Sequence, residues 1–189
     1  NKSIHYFSLA ANQNDPDAQF QLGLIYYEDK YIAQDINKSI HYLSLAANQN
    51  NPSAQFQLGF IYYENNYIAR DINKSIHYFT LAANQNDPDA QFQLGFIYYE
   101  NKYIARDINK SIHYFTLAAN QNNPKAQILL GLIYYEDKYI ARGINKSIHY
   151  FSLAANQNNP DAQFLLGFIY YEDKYIAQDI NKSIHYLSL

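Results

Sequence analysis

DPDAQFQLGLIYYEDKYIAQDINKSIHYLSLAANQN, the stretch from Asp15 to Asn50, recurs along the chain almost letter for letter, with a period of 36 residues. No residue is inserted or deleted between one copy and the next. A fixed period of roughly 20 to 50 residues is typical of stacked-repeat proteins, in which each unit buries its apolar side against its neighbours. The tripeptide Asn-Lys-Ser keeps the same register, starting at Asn1, Asn37, Asn73, Asn109, Asn145 and Asn181.

The first half of the unit predicts a helix, helix A, from about Pro16 to Glu28. Asp15 is a favoured N-cap residue and Pro16 suits the first helical position. Two apolar stripes follow at helical spacing: Ala18, Leu22, Ile25 and Tyr26, and then Phe20, Leu24, Tyr27 and Tyr31. A helix with two apolar stripes has to contact neighbours on two sides, as a stacked unit requires. Asp29 tolerates the left-handed backbone that ends helices, so we expect helix A to stop there.

The second half of the unit predicts helix B, which begins after Asp35. Asp recurs at this cap position in the other units except at Gly143, which has no side-chain acceptor, and we expect that helix start to be weaker by a few tenths of a kcal/mol. The polar run Asn48–Asn51, followed by Pro52, predicts the turn into the next helix A.

A glycine lies inside every helix A, where it costs about 1 kcal/mol relative to alanine. Its presence in all five units predicts a close approach by another helix, with Ala46-Ala47 as a plausible counterpart. These structural glycines are Gly23, Gly59, Gly95, Gly131 and Gly167.

The pattern A-x-x-x-L-G-x-x-Y, then D-x-x-K-[small], then A-A, resembles the SEL-one-like repeat, a branch of the tetratricopeptide-type α/α solenoids. The residues that carry the resemblance are Ala18, Leu22, Gly23, Tyr26, Asp35, Lys38, Ser39, Tyr42, Ala46 and Ala47. In the link between helices, Asp29 and Tyr31 replace the family's Gly-x-Gly. Asn50 replaces the family's glycine after Ala-Ala, and it also accepts left-handed geometry.

The resemblance implies an all-α fold, a right-handed α/α superhelical solenoid with helix A on the concave face. It also implies an adaptor that holds other proteins and has no catalytic residue in the repeat. The second stripe of helix A would then point toward the concave groove, and an open aromatic groove usually indicates an interaction site. The candidate partner-binding residues are Phe20, Leu24, Tyr27, Phe56, Phe60, Tyr63, Phe92, Phe96, Tyr99, Ile128, Leu132, Tyr135, Phe164, Phe168 and Tyr171.

The alternative for this stripe is that neighbouring A helices bury the rings against each other, and both arrangements can hold, with phenylalanine inside and tyrosine at the rim. Asp17 and Glu28 would make the groove mildly acidic. Lys125 replaces Asp17 in the fourth unit, while Leu129 and Leu165 replace glutamine. We therefore expect the groove to be more apolar toward the C-terminal end.

Composition argues against several classes of function. The net charge of −3, with basic residues that occur singly, does not favour a nucleic-acid partner. No apolar run approaches the roughly 18 residues of a membrane span. The absence of cysteine excludes a disulfide framework and thiolate metal ligands.

One histidine per unit suggests a metal column at first sight, formed by His5, His41, His77, His113, His149 and His185. Packed helices lie about 10 Å apart, whereas a metal needs its ligands within about 2.1 Å, so one ion could not bridge successive units. Ser39 and His41 face different ways on a helix, which argues against a hydrolase triad. We expect no metal, no cofactor and no catalytic site.

Each Asn-Lys-Ser is formally an N-glycosylation acceptor, although its place in the first turn of a helix makes it a poor guide to modification. The candidate acceptors are Asn37, Asn73, Asn109 and Asn145.

The repeat predicts a single solenoid over residues 1–189. Its parts are a partial repeat 1–14, full repeats 15–50, 51–86, 87–122 and 123–158, and an incomplete repeat 159–189. The absence of methionine at the start and the end in mid-pattern suggest a piece of a longer protein.

The leading functional prediction is a non-enzymatic scaffold that binds a protein or peptide through the concave helix-A face. The alternative is a structural filament, in which copies of the chain stack end to end.

Overall fold

The computed structural model describes residues 2–28, 33–64, 68–100, 102–136, 143–172 and 179–188. Every regular element in these ranges is an α-helix. The helices are α1 (Lys2–Asn12), α2 (Pro16–Tyr27), α3 (Ile36–Asn48), α4 (Pro52–Tyr63), α5 (Ile72–Asn84), α6 (Pro88–Glu100), α7 (Ile108–Asn120), α8 (Pro124–Glu136), α9 (Ile144–Ala155), α10 (Pro160–Glu172) and α11 (Ile180–Leu187). Even-numbered helices are the A helices and odd-numbered ones the B helices.

The A helices begin where the sequence predicted. Asp15 accepts a hydrogen bond at Oδ1 from the Ala18 backbone N–H at 2.7 Å, and Asn51 plays the same part for α4. Glu28 follows the last residue of α2 with an extended backbone, and its N–H donates to the Leu24 carbonyl. The predicted stop at Asp29 lies outside the described residues.

Aspartate caps α3, α5, α7 and α11, and a left-handed asparagine follows α1, α3, α5, α7 and α9. The Oδ1 atom of Asp35 accepts from the Lys38 N–H at 3.0 Å, whereas Gly143 makes no side-chain cap bond to α9. At the other end, Asn50 has a φ of 62° and its N–H donates to the Ala47 carbonyl at 3.0 Å. The expectation that asparagine replaces the family's glycine in left-handed geometry is therefore confirmed. The same conformation occurs at Asn14, Asn86, Asn122 and Asn158.

The chain divides into two compact units, residues 1–91 and 92–189. In the first unit α2 packs on α3, α3 on α4 and α4 on α5. In the second unit α7 packs on α8, α8 on α9, α9 on α10 and α10 on α11. Within each unit, consecutive helices thus form antiparallel hairpins that pack on the next hairpin. This confirms the predicted all-α solenoid of 36-residue helix-turn-helix repeats.

Each core cluster draws on two successive repeats. In the first unit, Leu43, Ala46 and Ala47 of α3 are buried with Ala54, Leu58 and Ile61 of α4. In the second unit, the equivalent residues of α7 and α8 form the cluster Phe115, Ala118, Ala119, Ala126, Leu130 and Ile133. Helix B of one repeat and helix A of the next therefore share a core, so no repeat shields its own apolar side.

The helix-A glycines lie against a large side chain of helix B in the same hairpin. A Cβ atom at Gly23 would come within 2.5 Å of Leu43 Cγ, and one at Gly95 within 2.5 Å of Phe115 Cδ1. The nearest side chain to Gly23 is thus Leu43, not the Ala46-Ala47 pair that the sequence suggested. The remaining pairs are Gly59 with Phe79, Gly131 with Phe151, and Gly167 with Leu187.

Candidate functional site

The second stripe of helix A lies in the packing between successive hairpins. Phe20 and Tyr27 pack at the edge of the Leu43 cluster, and Tyr63 is only 9% exposed. In the second unit, Phe92, Phe96 and Tyr99 pack at the edge of the Phe115 cluster. Ile128, Leu132 and Tyr135 pack in the same way at the edge of the next cluster, around Phe151. Leu24, Phe56 and Phe60 are half-buried.

The stripe is more exposed on α10. Phe164 is 61% exposed, Phe168 39% and Tyr171 50%. Their exposure alone supports no assignment of a site.

A second row of helix-A residues shares its third position with the stripe and begins, in every A helix, with an exposed polar side chain. In α2 this row consists of Asp17, Gln21 and Leu24, at spacings of four and three residues. We call these residues, together with their equivalents in the other A helices, the helix-A face. Asp17 and Gln21 are exposed, and Leu24 is half-buried. The other members are Ser53, Gln57 and Phe60; Asp89, Gln93 and Phe96; Lys125, Leu129 and Leu132; and Asp161, Leu165 and Phe168.

Stacked tyrosine pairs join the two helices of each hairpin. The rings of Tyr26 and Tyr42 are parallel within 3°, with centroids 5.8 Å apart. The Lys38 ammonium lies 5.2 Å from the centre of the Tyr26 ring and 3.3 Å from the Asp35 carboxylate. An exposed cation over an aromatic ring contributes about 0.5–1 kcal/mol. The other pairs are Tyr62–Tyr78, Tyr98–Tyr114, Tyr134–Tyr150 and Tyr170–Tyr186.

Buried glutamines connect three helices, a feature that the sequence analysis missed. Gln55 is 1% exposed, and its Nε2 donates to the Ala47 carbonyl of the preceding helix B at 3.1 Å. Its Oε1 accepts from Gln85 Nε2, at the end of the following helix B, at 2.8 Å. The available signal was a glutamine that recurs beside alanine on the buried side of helix A. Gln19 with Gln49, and Gln127 with Gln157, repeat the arrangement.

The histidines and the capping aspartates are the ionisable groups that the sequence singled out. All six histidines are exposed, and no group of three or more His, Asp and Glu side chains in the described ranges could hold a metal ion. The Lys38 N–H bonded to Asp35 lowers the pKa of that carboxyl, with a further contribution from the Lys38 ammonium, while partial desolvation opposes them. The Lys110 N–H lowers the pKa of Asp107 in the same way. These carboxylates serve as helix caps.

The four candidate glycosylation sequons each begin with an exposed asparagine in the first turn of a B helix. Their serines are buried: Ser39, Ser75, Ser111 and Ser147. Among the described helices, none is long and apolar enough to cross a bilayer.

Comparison with known families assigns the repeat. The Sel1 repeat model, the SEL-one-like repeat named above, matches six segments that together span the chain: residues 1–15, 16–51, 52–87, 88–123, 124–159 and 160–189. Comparison with the curated proteins finds no match.

Solved structures share the architecture. The chain is 26% identical, with a TM-score of 0.89 over 98% of its length, to c5321, described as a protective antigen of uropathogenic Escherichia coli strains with an SLR fold. It spans 40% of that protein's length. A Sel1 repeat protein from Oxalobacter formigenes is 28% identical, with a TM-score of 0.80 over 98% of this chain and 76% of its own. Helicobacter pylori cysteine rich protein B is 23% identical, with a TM-score of 0.55 over 74% of this chain and all of its own, and shows the fold alone.

Proposed function

The chain belongs to the Sel1 repeat family, whose repeats generally mediate protein–protein interactions, and from this premise we propose that it is a scaffold that binds a protein or peptide through the helix-A face. The family is a non-catalytic repeat scaffold family. We extend that property to this chain and propose that it is not an enzyme.

The observation that carries the proposal is the composition of the helix-A face. In α2, α4, α6 and α8 the apolar side chain at the third position of this face, such as Leu24 or Phe60, is only half-buried, although a buried core lies beside it. In α10 the equivalent Phe168 is 39% exposed. Asp17 and Gln21 lie on the same helical row and remain exposed. Repeated apolar positions bordered by polar side chains provide area for burial together with hydrogen-bonding groups for orientation, the combination that protein interfaces use.

The exposed face of helix B is a weaker candidate for the binding surface than helix A. Leu45 is 37% exposed and Leu117 36%, but their row is otherwise formed by asparagine, lysine and histidine. Apolar residues that occur singly on a surface are normal and do not indicate an interface. We therefore place partner binding on helix A.

A displayed library of random peptides, selected on the whole chain, tests this assignment. Selected peptides are synthesised and their affinities measured for the parent, for a variant with Leu24→Gln, Phe60→Gln and Leu132→Gln, and for a helix-B variant with Leu45→Gln and Leu117→Gln. We expect the helix-A variant to weaken binding by about tenfold or more, because it removes apolar area from the interface. The helix-B variant should bind like the parent.

Circular dichroism and melting of both variants serve as the control for folding. If binding weakened only in the helix-B variant, the binding site would have to be assigned to helix B instead of helix A. If no peptide is selected, and sedimentation shows assemblies whose mass grows with concentration, the chain is instead a self-assembling filament.

A further inference from the structure

The repeats differ from one another at few positions, and three of the differences fall on the helix-A face of the unit formed by residues 92–189. Leu129 and Leu165 stand where the first three full repeats have glutamine. Lys125 stands where the equivalent residues are Asp17, Ser53, Asp89 and Asp161. Because the surrounding sequence is nearly constant, these substitutions change the surface chemistry of one region without changing its fold.

The leucines extend the apolar surface of this region. Leu129 and Phe96 are both half-buried at the edge of the Phe115 cluster. Leu132 and Leu165 are both half-buried at the edge of the Phe151 cluster. Each pair brings apolar side chains of two successive A helices to the edge of one core cluster, and we group these four side chains as an apolar strip.

The core does not require these leucines. In the first unit the equivalent positions carry Gln21, which is exposed, and Gln57, which is half-buried, and the Leu43 cluster there is equally closed to solvent. Replacing glutamine by leucine therefore adds apolar area that water still reaches. Such area is favourable only when it is covered.

Lys125 gives one end of the strip a positive charge. It is exposed in the first turn of α8, which contains no acidic residue. The N-cap is the neutral Asn123, whose Oδ1 accepts from the Ala126 N–H at 3.0 Å. The partial positive charge of a helix N-terminus adds to that of the ammonium, and both attract a carboxylate. At the start of α10 the equivalent residue is Asp161, so the positive charge is confined to α8.

We propose that the strip of Phe96, Leu129, Leu132 and Leu165 binds an apolar peptide segment that places an acidic side chain against Lys125. The inference rests on the proposed function, and it names the part of the helix-A face that binds and the chemistry of the partner. The leucines contribute the buried area, and the lysine fixes the direction of the peptide. The glutamine-bearing repeats of the first unit contact such a segment less tightly.

The peptides selected on the whole chain are the probe. They are measured against L129Q/L165Q and against K125D, each of which introduces a residue that the chain already carries at equivalent positions, so both variants should fold. We expect the selected peptides to be rich in Leu, Ile or Phe and to contain Asp or Glu. L129Q/L165Q should weaken their binding by about tenfold. K125D should weaken it severalfold at low salt and less at high salt.

Two controls separate the contributions. The helix-B variant Leu45→Gln/Leu117→Gln, whose substitutions lie outside the helix-A face, should leave binding within a factor of about two. A peptide whose acidic residue is replaced by lysine should recover binding to K125D and lose it to the parent.

Peptides that bind both variants as tightly as the parent would overturn this inference while leaving the scaffold function in place. If no peptide is enriched, both the inference and the peptide-binding function fall. Peptides that lose affinity for L129Q/L165Q but carry no acidic residue would contradict the role of Lys125.

Discussion

Gly95 shows how a single residue sets the distance between two helices. It lies in the interior of α6, where glycine is unfavourable, and its Cα faces the ring of Phe115 on α7. The same pairing of a helix-A glycine with a large helix-B side chain recurs in every hairpin, with leucine at Leu43 and Leu187 and phenylalanine between them. The intrinsic cost of the glycine is offset by the close packing that it permits.

Substituting Gly95 by alanine tests this balance through the sign of its effect. Alanine gains about 1 kcal/mol of helix propensity, so an uncrowded site would become more stable. We expect the opposite, a loss of about 1–3 kcal/mol in the free energy of unfolding, because the new Cβ would lie 2.5 Å from Phe115 Cδ1. Urea denaturation measures the change.

Phe115→Ala and the double variant Gly95→Ala/Phe115→Ala complete a double-mutant cycle with Gly95→Ala. Phe115→Ala alone should destabilise strongly, since the ring is fully buried. In its presence Gly95→Ala should become neutral or stabilising, because the ring that the Cβ meets has been removed. Additive effects would refute the contact.

At the scale of the helix, the ends are held by local bonds. Asp35, Asp71, Asp107 and Asp179 each accept the N–H of the lysine three residues on, and the same lysines lie over a tyrosine of helix A. The Lys38–Asp35 pair is largely exposed and contributes little by itself. The hydrogen bond from the lysine N–H to the capping carboxylate contributes more than the ion pair. Because Gly143 has no side chain to accept this bond, α9 serves as the comparison helix.

The caps predict a dependence on acidity that α9 lacks. The folded-state pKa of Asp35 and Asp107 is below the ordinary value near 4, chiefly because of the bonded lysine N–H. Their stabilising effect is therefore complete above the ordinary pKa and is lost as the pH falls through the lowered one. Carboxyl chemical shifts followed into acid should show both groups titrating below a model peptide.

Gly143→Asp is the matched variant. It should raise the free energy of opening of the first turn of α9 by a few tenths of a kcal/mol. Hydrogen exchange near neutral pH measures this free energy. Its carboxyl should also titrate below the ordinary value. An unshifted carboxyl at position 143 would show that the local bond is not the cause.

Between helices, the buried glutamines act as connectors. Gln55 reaches back to the Ala47 carbonyl and forward to Gln85, so it links α4 to both flanking B helices. Gln55→Leu should cost about 1–2 kcal/mol in the free energy of unfolding, because hydrogen bonds are lost and the Gln85 amide loses its acceptor. Chemical denaturation with an unchanged slope would show this.

Gln57→Leu is the control for that experiment. Gln57 is half-buried on the helix-A face, and Leu129 occupies the equivalent position naturally. It should change stability by less than about 0.5 kcal/mol. Equal effects at positions 55 and 57 would refute the connecting role of Gln55.

The sequence was sufficient for features that depend on neighbouring residues. The caps at Asp15 and Asp35 and the left-handed Asn50 follow from the chemistry of a few adjacent side chains, and the period predicted the stacking. The partner of Gly23, the Tyr26–Tyr42 stack and the Gln55 link join residues on different helices, so they depend on how the helices cross. The substitutions at Lys125 and Leu129 were visible in the sequence, but how far each side chain is buried required the structure.

At the scale of the whole molecule, the 36-residue period makes each repeat interchangeable. Stability in such proteins is approximately a sum of repeat terms and nearest-neighbour interface terms. The shared clusters form the interfaces between repeats, because helix B of one repeat and helix A of the next bury the same core. Removing one repeat should therefore remove the stabilising contribution of one interface between repeats.

Deleting residues 51–86 tests this additivity. The deletion joins Asn50 to Asp87, which caps α6 as Asn51 caps α4. Ala90, Leu94 and Ile97 then take the places of Ala54, Leu58 and Ile61 against the α3 residues of the cluster. We expect a folded helical protein with the same ellipticity per residue and a lower midpoint of thermal unfolding, because one interface is lost.

A deletion of residues 51–68 is the control, because it removes α4 and leaves α3 followed directly by α5. Two B helices in succession leave Phe79 without Gly59, the helix-A glycine against which it packs, and leave Leu43 without the α4 residues of its core cluster. This chain should lose cooperative unfolding, although fewer residues have been removed. If both deletions unfold alike, register is not what specifies the stack, and the nearest-neighbour description of this solenoid fails.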